Sequence, residues 1–293
     1  MHDFRKSRLF YFALIAPAFG ISALLIFYPL INGIRLSFTN SSPFQQVEQF
    51  IGLENYQYMV TDPLFWTMLK NTFFIVFTST TIGAVAGYLL ALLLNSGIRG
   101  LSFFRAAIFQ VWVVPWIVVS ILWGWLFSSF DFGIVNYLLE AFGFIDEPQN
   151  FLFNSRFSQW AVILAYAWRM IPFMMVISLA ALQQVPTEVV EAAKIDGASY
   201  IRIQTAIVLP ILRNILLVMY LLQIVKSLQE LTMVFTLTGG GPVNSTMVIS
   251  LYTYKTAFET WDFGLASAIG VIWLIGAVIF SFWFMRLSKG ALT

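Results

Sequence analysis

The chain has 293 residues, 59% of them hydrophobic, 17% aromatic and 10% charged, with a formal charge of +2. Soluble domains carry about 25% charged residues, so this composition excludes an ordinary soluble protein and points to a membrane one. The absence of cysteine excludes disulfides and thiolate metal sites without fixing a compartment.

Crossing a hydrocarbon core roughly 30 Å thick takes about 20 mostly apolar residues. Six runs qualify, approximately Leu9–Ile31, Thr72–Leu94, Phe104–Phe127, Trp160–Leu182, Ile211–Leu237 and Phe263–Met285, the fifth interrupted by Lys226 and Glu230. The first run exceeds the apolar stretch of about 7–15 residues usual in a signal peptide, and no A-x-A-like site follows, so it is read as retained. An even number of spans puts both termini on one side. Cations gather there: Arg5, Lys6 and Arg8, then Arg99 and Arg105, then Lys194, Arg202 and Arg213, then Arg286 and Lys289. By the excess of Lys and Arg on the inner face of membranes, that side is cytoplasmic. The opposite connections are richer in carboxylates, including Glu48, Glu54, Asp62, Asp131, Glu140, Asp146, Glu147, Glu259 and Asp262. The expected fold is an all-α membrane protein of six transmembrane helices with cytoplasmic termini. Residues 1–8 form a cytoplasmic segment, and 9–293 form a single transmembrane domain. Lipid is an expected partner and nucleic acid is not.

The longest outer connections, about 40–69 and 128–159, contain turn formers such as Pro43, Gly52, Asp62-Pro63 and Asp146–Pro148 and suit small caps. The four tryptophans Trp112, Trp116, Trp123 and Trp125 in the third run are read as packing and interface residues.

Between the fourth and fifth runs lies a mixed-charge segment, about 183–210, containing "EAAKIDGASYIRIQTAIVLP". Pro186 permits a helix to start after it, Thr187 can cap it, and Glu188 and Glu191 suit its positive end. That helix runs to about Asp196. Gly197 can leave it with positive φ, and Ser199 can cap a second helix leading to Pro210. Val189, Ala192 and Ala193 offer small apolar surface, suited either to a docked partner or to the membrane surface.

Little here supports catalysis. There is no G-x-x-x-x-G-K-[ST] loop, and "LTGGGP" at Leu237–Pro242 reads as a turn at the outer end of the fifth span. His2 is the one histidine, and Glu230 is the one acidic residue well inside a span. No enzyme activity, metal or bound cofactor is expected. Ionisable residues inside a membrane are functional candidates by default. Tyr166, Arg169, Met170 and Phe173 share one helix face by their spacing, as do Gln223, Lys226, Ser227 and Glu230. Such faces could contact substrate, with hydrogen bonds from the polar groups and stacking on the aromatics. Alternatively Lys226 and Glu230, four apart, neutralise one another or meet a companion subunit.

The pattern Glu191-Ala192-Ala193, Gly197, Ile207, Leu209-Pro210 resembles the EAA signature of ABC-importer permease subunits. "GLENY" at Gly52–Tyr56, "NTF" at Asn71–Phe73, Pro115, Trp123, "WRMIPF" at Trp168–Phe173 and "LTGGGP" resemble the carbohydrate branch of the binding-protein-dependent transport family, of the maltose and glycerol-phosphate permease type. The resemblance covers nearly the whole chain. It implies a type I importer permease fold in a bacterial or archaeal cytoplasmic membrane, forming half of a pathway with a second, related permease. It also implies an ABC ATPase dimer that uses ATP and Mg, and an extracytoplasmic binding protein that delivers a sugar. In that setting the EAA segment is the coupling helix, with Glu191 as polar anchor, Ala192 and Ala193 for close packing, Gly197 for the elbow, and Asp196, Ile207, Leu209 and Pro210 completing the element. The faces on the fourth and fifth spans fall on positions that contact sugar in maltose-type relatives. Arg169, Lys226 and Glu230 replace uncharged groups there, which leaves an anionic sugar or glycerol-phosphate-like cargo open. A self-sufficient ion-coupled carrier or a scaffold subunit are the competing classes, and neither has an evident use for the EAA segment.

Overall fold

The computed structural model describes residues 2–45, 47–96, 100–130 and 133–289, with the side chains of 2–9, 12 and 287–289 excepted. Of the charges used above, Arg99 and Asp131 lie outside the described residues, as do the side chains of Arg5, Lys6, Arg8 and Lys289.

Helices dominate. In chain order they are α1 His2–Ser22, α2 Tyr28–Leu36, α3 Glu54–Thr61, α4 Pro63–Leu94, α5 Leu101–Val113, α6 Trp116–Leu126 and α7 Ile134–Ala141. Next come α8 Ser155–Leu182, α9 Thr187–Ile195, α10 Tyr200–Ile203, α11 Leu209–Gln229, α12 Thr232–Leu237, α13 Ile249–Phe258 and α14 Phe263–Lys289. π-helical turns at Ala23–Phe27 and Gln204–Val208 carry the chain from α1 into α2 and from α10 into α11.

Among the described residues, five helical stretches are long and apolar enough to cross a membrane: Ala13–Leu36, Pro63–Leu94, Ser155–Leu182, Tyr200–Gln229 and Phe263–Arg286. The expected third span, Phe104–Phe127, is not one helix, because α5 and α6 meet at 98°. Pro115 is the cause. Its ring disfavours the α conformation at the residue before it, and Val114 accordingly turns extended, with φ −61 and ψ 129. The expected fifth span, Ile211–Leu237, is corrected at both ends. It begins a full segment earlier, at Tyr200, and stops at Gln229, where Glu230 turns extended with φ −78 and ψ 123.

The chain divides into two compact units. In the first, Met1–Phe65 with Thr253–Gly276, the amide of Asn55 donates to the carbonyls of Ser37 at 3.0 Å and Thr39 at 2.8 Å. Phe263 N–H and Gly264 N–H both donate to Ser41 O, and a Cβ on Gly264 would collide with the Thr39 carbonyl. Arg35 closes the loop with a 2.7 Å ion pair to Glu48.

The second unit, Trp66–Tyr252 with Ala277–Thr293, contains the candidate site. Here Asn71 performs the same kind of bracketing. Its Nδ2 donates to the carbonyls of Asn244 at 2.8 Å and Met247 at 3.2 Å, while its Oδ1 accepts from Gln159. Gln159 donates in turn to Ser245 O at 2.7 Å, and Thr72 Oγ1 accepts from Ile249 N–H at 2.9 Å. The irregular stretch after "LTGGGP" is thereby fastened to α4 and α8, its backbone groups satisfied by side chains where water would be scarce.

Helices α4 and α8 approach closely at Gly83 and Gly87, a small-xxx-small pair of the kind that lets membrane helices come into backbone contact. A Cβ on Gly87 would lie 2.5 Å from Met174 Cβ and 2.8 Å from Met175 N, and one on Gly83 would lie 3.2 Å from Met170 Cβ. Gly87→Ala should therefore lower stability by about 1–3 kcal/mol through overpacking, and Gly83→Ala by less, read from detergent-denaturation midpoints of the purified protein. Equal midpoints for the two variants and the parent would contradict this contact.

Candidate functional site

The EAA segment folds as a helix, an elbow and a second helix. Helix α9 begins at Thr187, but the residue preceding it is Pro186, and no side chain caps the start. Thr187 is thus the first helical residue rather than the cap expected from sequence. At the other end Gly197 takes φ +77, with Ala198 N–H donating to Ala193 O at 3.0 Å and Gly197 N–H to Lys194 O at 3.1 Å. These are the two bonds of a Schellman ending, which need a left-handed residue at the turn. Asp196 is exposed just before it. Ser199 Oγ then accepts from Arg202 N–H and opens α10.

The two alanines point in opposite senses. Ala193, 6% exposed, sits in a cluster with Ala91, Leu94, Leu182, Ile203, Val208 and Leu212, against which Ile207 also packs. It anchors α9 to its own chain and is unavailable to a partner. Ala192 and Glu191 face outward, and Leu209 and Pro210 are exposed at the start of α11. Sequence reasoning missed the bulkiest apolar groups here, Ile195 at 87% and Ile201 at 74% exposure. A signal was available for Ile195, a lone isoleucine between Lys194 and Asp196; Ile201 alternates with Ile203, and the sequence does not say which of the two is buried. Glu191, Lys194, Asn95, Gln183, Tyr200 and Gln204 line an adjacent recess of 610 Å³.

The second constellation is built around the middle of α8. The carbonyl of Val114, released from helix bonding by the Pro115 break, accepts from Arg169 Nε at 2.9 Å. The guanidinium lies 3.9 Å from the centroid of the Trp116 ring, within the range of a cation–π contact. Trp116 also packs on Tyr166 at 5.0 Å, and Trp112 stacks on Phe173 at 5.5 Å with 16° between the ring planes. Lys226 Nζ stands 5.3 Å over that same Phe173 ring. Trp112 and Trp116 thus pack, as expected, and do so against the candidate residues Phe173, Tyr166 and Arg169.

The break after α11 is tied to the same helix. Tyr166 OH donates to Glu230 O at 3.3 Å, and Ser250 Oγ donates to it at 3.1 Å. Glu230 Oε1 accepts from Thr232 N–H at 2.8 Å and caps α12. Among the described residues no ion pair joins Lys226 and Glu230: the Glu230 carboxylate turns forward to Thr232 N–H, and the Lys226 ammonium lies over Phe173. Gln223, Ser227 and Met170 are buried together, with Gln223 Nε2 donating to Ser227 Oγ at 3.3 Å and Ser227 Oγ to Met170 Sδ at 4.0 Å. They and Tyr166, 2% exposed, form the packed floor, so Tyr166 does not face a solute as expected, whereas Arg169, Phe173, Lys226 and Glu230 keep accessible surface. The arrangement can stack flat apolar faces and donate charged hydrogen bonds.

Residues 79–291 match the family of binding-protein-dependent transport system inner membrane components. The chain is 29% identical to a trehalose/maltose transport system permease protein of Thermococcus litoralis, over 98% of this chain and 95% of the relative. It is 32% identical to a sulfoquinovosyl glycerol transport system permease of Agrobacterium fabrum, over 90% and 85%, and 32% identical to a lactose transport system permease of Rhizobium radiobacter, over 92% and 90%. Its fold matches a solved chain of a bacterial ABC transporter involved in import of the acidic polysaccharide alginate, with a TM-score of 0.83 at 21% identity, covering 98% of this chain and 97% of that one. With the match to the family spanning more than half its length and these relatives spanning nearly all of it, the chain belongs to the inner membrane components of binding-protein-dependent transport systems.

Proposed function

We propose that this chain is a permease subunit of an ATP-driven importer of sugars or oligosaccharides. It forms half of the pathway beside a second permease, receives cargo from an extracytoplasmic binding protein, and is driven by an ATPase dimer docked on α9. The proposed setting is a bacterial or archaeal cytoplasmic membrane with both termini and α9 on the cytoplasmic side. Relatives named for trehalose/maltose and lactose transport support the sugar class.

The observation that carries the coupling role is the construction of α9. Ala193 binds it to the chain's own core, the Schellman ending fixes its exit, and Glu191, Ile195 and Ile201 are left outside. A short helix packed on one side and presenting a mixed charged and apolar outer side suits recognition in a groove of a partner. Movement of that partner would pass to α8 through residues 183–186 and to α11 through the elbow at Gly197.

Reconstituted with partner permease, ATPase and binding protein, the parent should hydrolyse ATP in response to loaded binding protein and accumulate its cargo. Gly197→Val forces a β-branched residue into a left-handed backbone at a cost of about 1–2 kcal/mol. It and Glu191→Ala should cut accumulation more than assembly, and uptake that proceeds without ATPase would sink the proposal. Ile195→Asp and Ile201→Asp should weaken ATPase co-purification, tenfold for every ~1.4 kcal/mol lost, and undiminished co-purification would place the docking surface elsewhere. Because the chain has no cysteine, Ser199→Cys offers a clean test of orientation. An impermeant maleimide should label it only when the cytoplasmic face is open, and labelling of intact cells from outside would reverse the topology.

A further inference from the structure

Resting on the importer reading, the geometry of the α8 face points to the chemistry of the cargo. Arg169 spends one nitrogen, Nε, on the Val114 carbonyl. Among the described residues its two Nη groups make no hydrogen bond and no ion pair, and neither does the Lys226 ammonium. Each cation instead rests on an aromatic face, Arg169 on Trp116 and Lys226 on Phe173. The nearby carboxylate, Glu230, is engaged in capping α12 through Thr232 N–H. Two cations therefore stand against one carboxylate within membrane-spanning helices. Charges placed at that depth are costly and ordinarily paired, so cations left with donors to spare mark a place for an anion that comes and goes.

The spacing of the rings adds a second requirement. Trp112 and Phe173 form a stacked pair with Lys226 above Phe173, while Trp116 and Tyr166 pack together beside Arg169. Flat aromatic faces next to charged donors suit a ligand with an apolar ring face and an anionic substituent. A guanidinium with both Nη groups free can hold two oxygens of one oxyanion in a parallel pair of bonds, and an ammonium supplies a point charge with no fixed direction.

We propose that Arg169 and Lys226, framed by Trp112, Trp116 and Phe173, bind a sugar bearing an oxyanion, whether carboxylate, sulfonate or phosphate, as it crosses. Arg169 is the specificity-determining residue and Lys226 supplies supporting charge.

The test uses the complete importer in liposomes, with its binding protein, given an equimolar mixture of uronate, sulfonated and phosphorylated sugars and their neutral or esterified counterparts. Accumulated cargo is read by mass spectrometry, and the class that accumulates identifies the oxyanion. An acidic sugar should dominate. Arg169→Gln should reduce its accumulation roughly 10- to 100-fold, the loss expected for a charge-assisted hydrogen bond, with partial rescue by Arg169→Lys and with assembly intact by size-exclusion chromatography. Dominant accumulation of a neutral sugar, with Arg169→Gln and Lys226→Gln as active as the parent, overturns this assignment and leaves the importer reading standing. Loss of assembly in both variants alongside neutral uptake gives the cations to the companion permease and also overturns it. Failure of any ATP-dependent accumulation removes the importer reading on which the proposal rests.

Discussion

A carbonyl released from a helix inside a membrane has no water to bond, so every interruption of a spanning helix must be met by a partner within the protein. Among the described residues of the second unit, such interruptions occur at Val114-Pro115 and at Glu230. Both are met from α8. Arg169 donates to Val114 O, and Tyr166, helped by Ser250, donates to Glu230 O. The requirement explains why an arginine and a tyrosine stand in the middle of an apolar helix, and why α6 and α12 pack together, with Ser120 touching Met233. Of the two α8 side chains, Tyr166 is buried at 2% exposure and serves the fold, whereas Arg169 keeps accessible surface beside Trp116.

The family-like residues quoted from the sequence divide along similar lines. Asn55 and Asn71 were visible only as parts of short motifs, and each turns out to bracket irregular backbone with a single amide. Nothing in either arrangement requires contact with solute. Gly197 and Glu191 belong to the other kind, at a segment whose inner side is packed and whose outer side is free.

What the sequence made legible was whatever rests on local chemistry. The positive φ at Gly197, the capping by Ser199 and the short helix before them follow from signals within a few residues, and the apolar runs located most of the spans. What it hid rests on direction and distance. Hydropathy alone treats α5 and α6 as one run, because Pro115 changes the axis without changing the polarity. Neither does a period of 3.6 residues decide which of two adjacent alanines meets the core, so the sequence leaves Ala192 and Ala193 equivalent where the fold buries only Ala193. Trp112 and Trp116 gain their roles only when the bend at Pro115 brings them against Phe173 and Arg169. Lys226 and Glu230, four apart, form no ion pair because the break after Glu230 frees the Thr232 amide, and the carboxylate turns to it.

The contact at Gly83 and Gly87 has a mechanical meaning. Two rods separated by side chains can slide on a compliant layer, whereas here α4 lies against α8 with almost nothing between the backbones at Gly87. Tightly packed protein interiors have low compressibility and transmit strain. The pair is therefore a two-ply beam, stiffer in bending than either ply alone, with α9 at one end and Arg169 near mid-length. A displacement imposed at the α9 end would arrive at the Arg169 level as translation or tilt rather than being dissipated on the way.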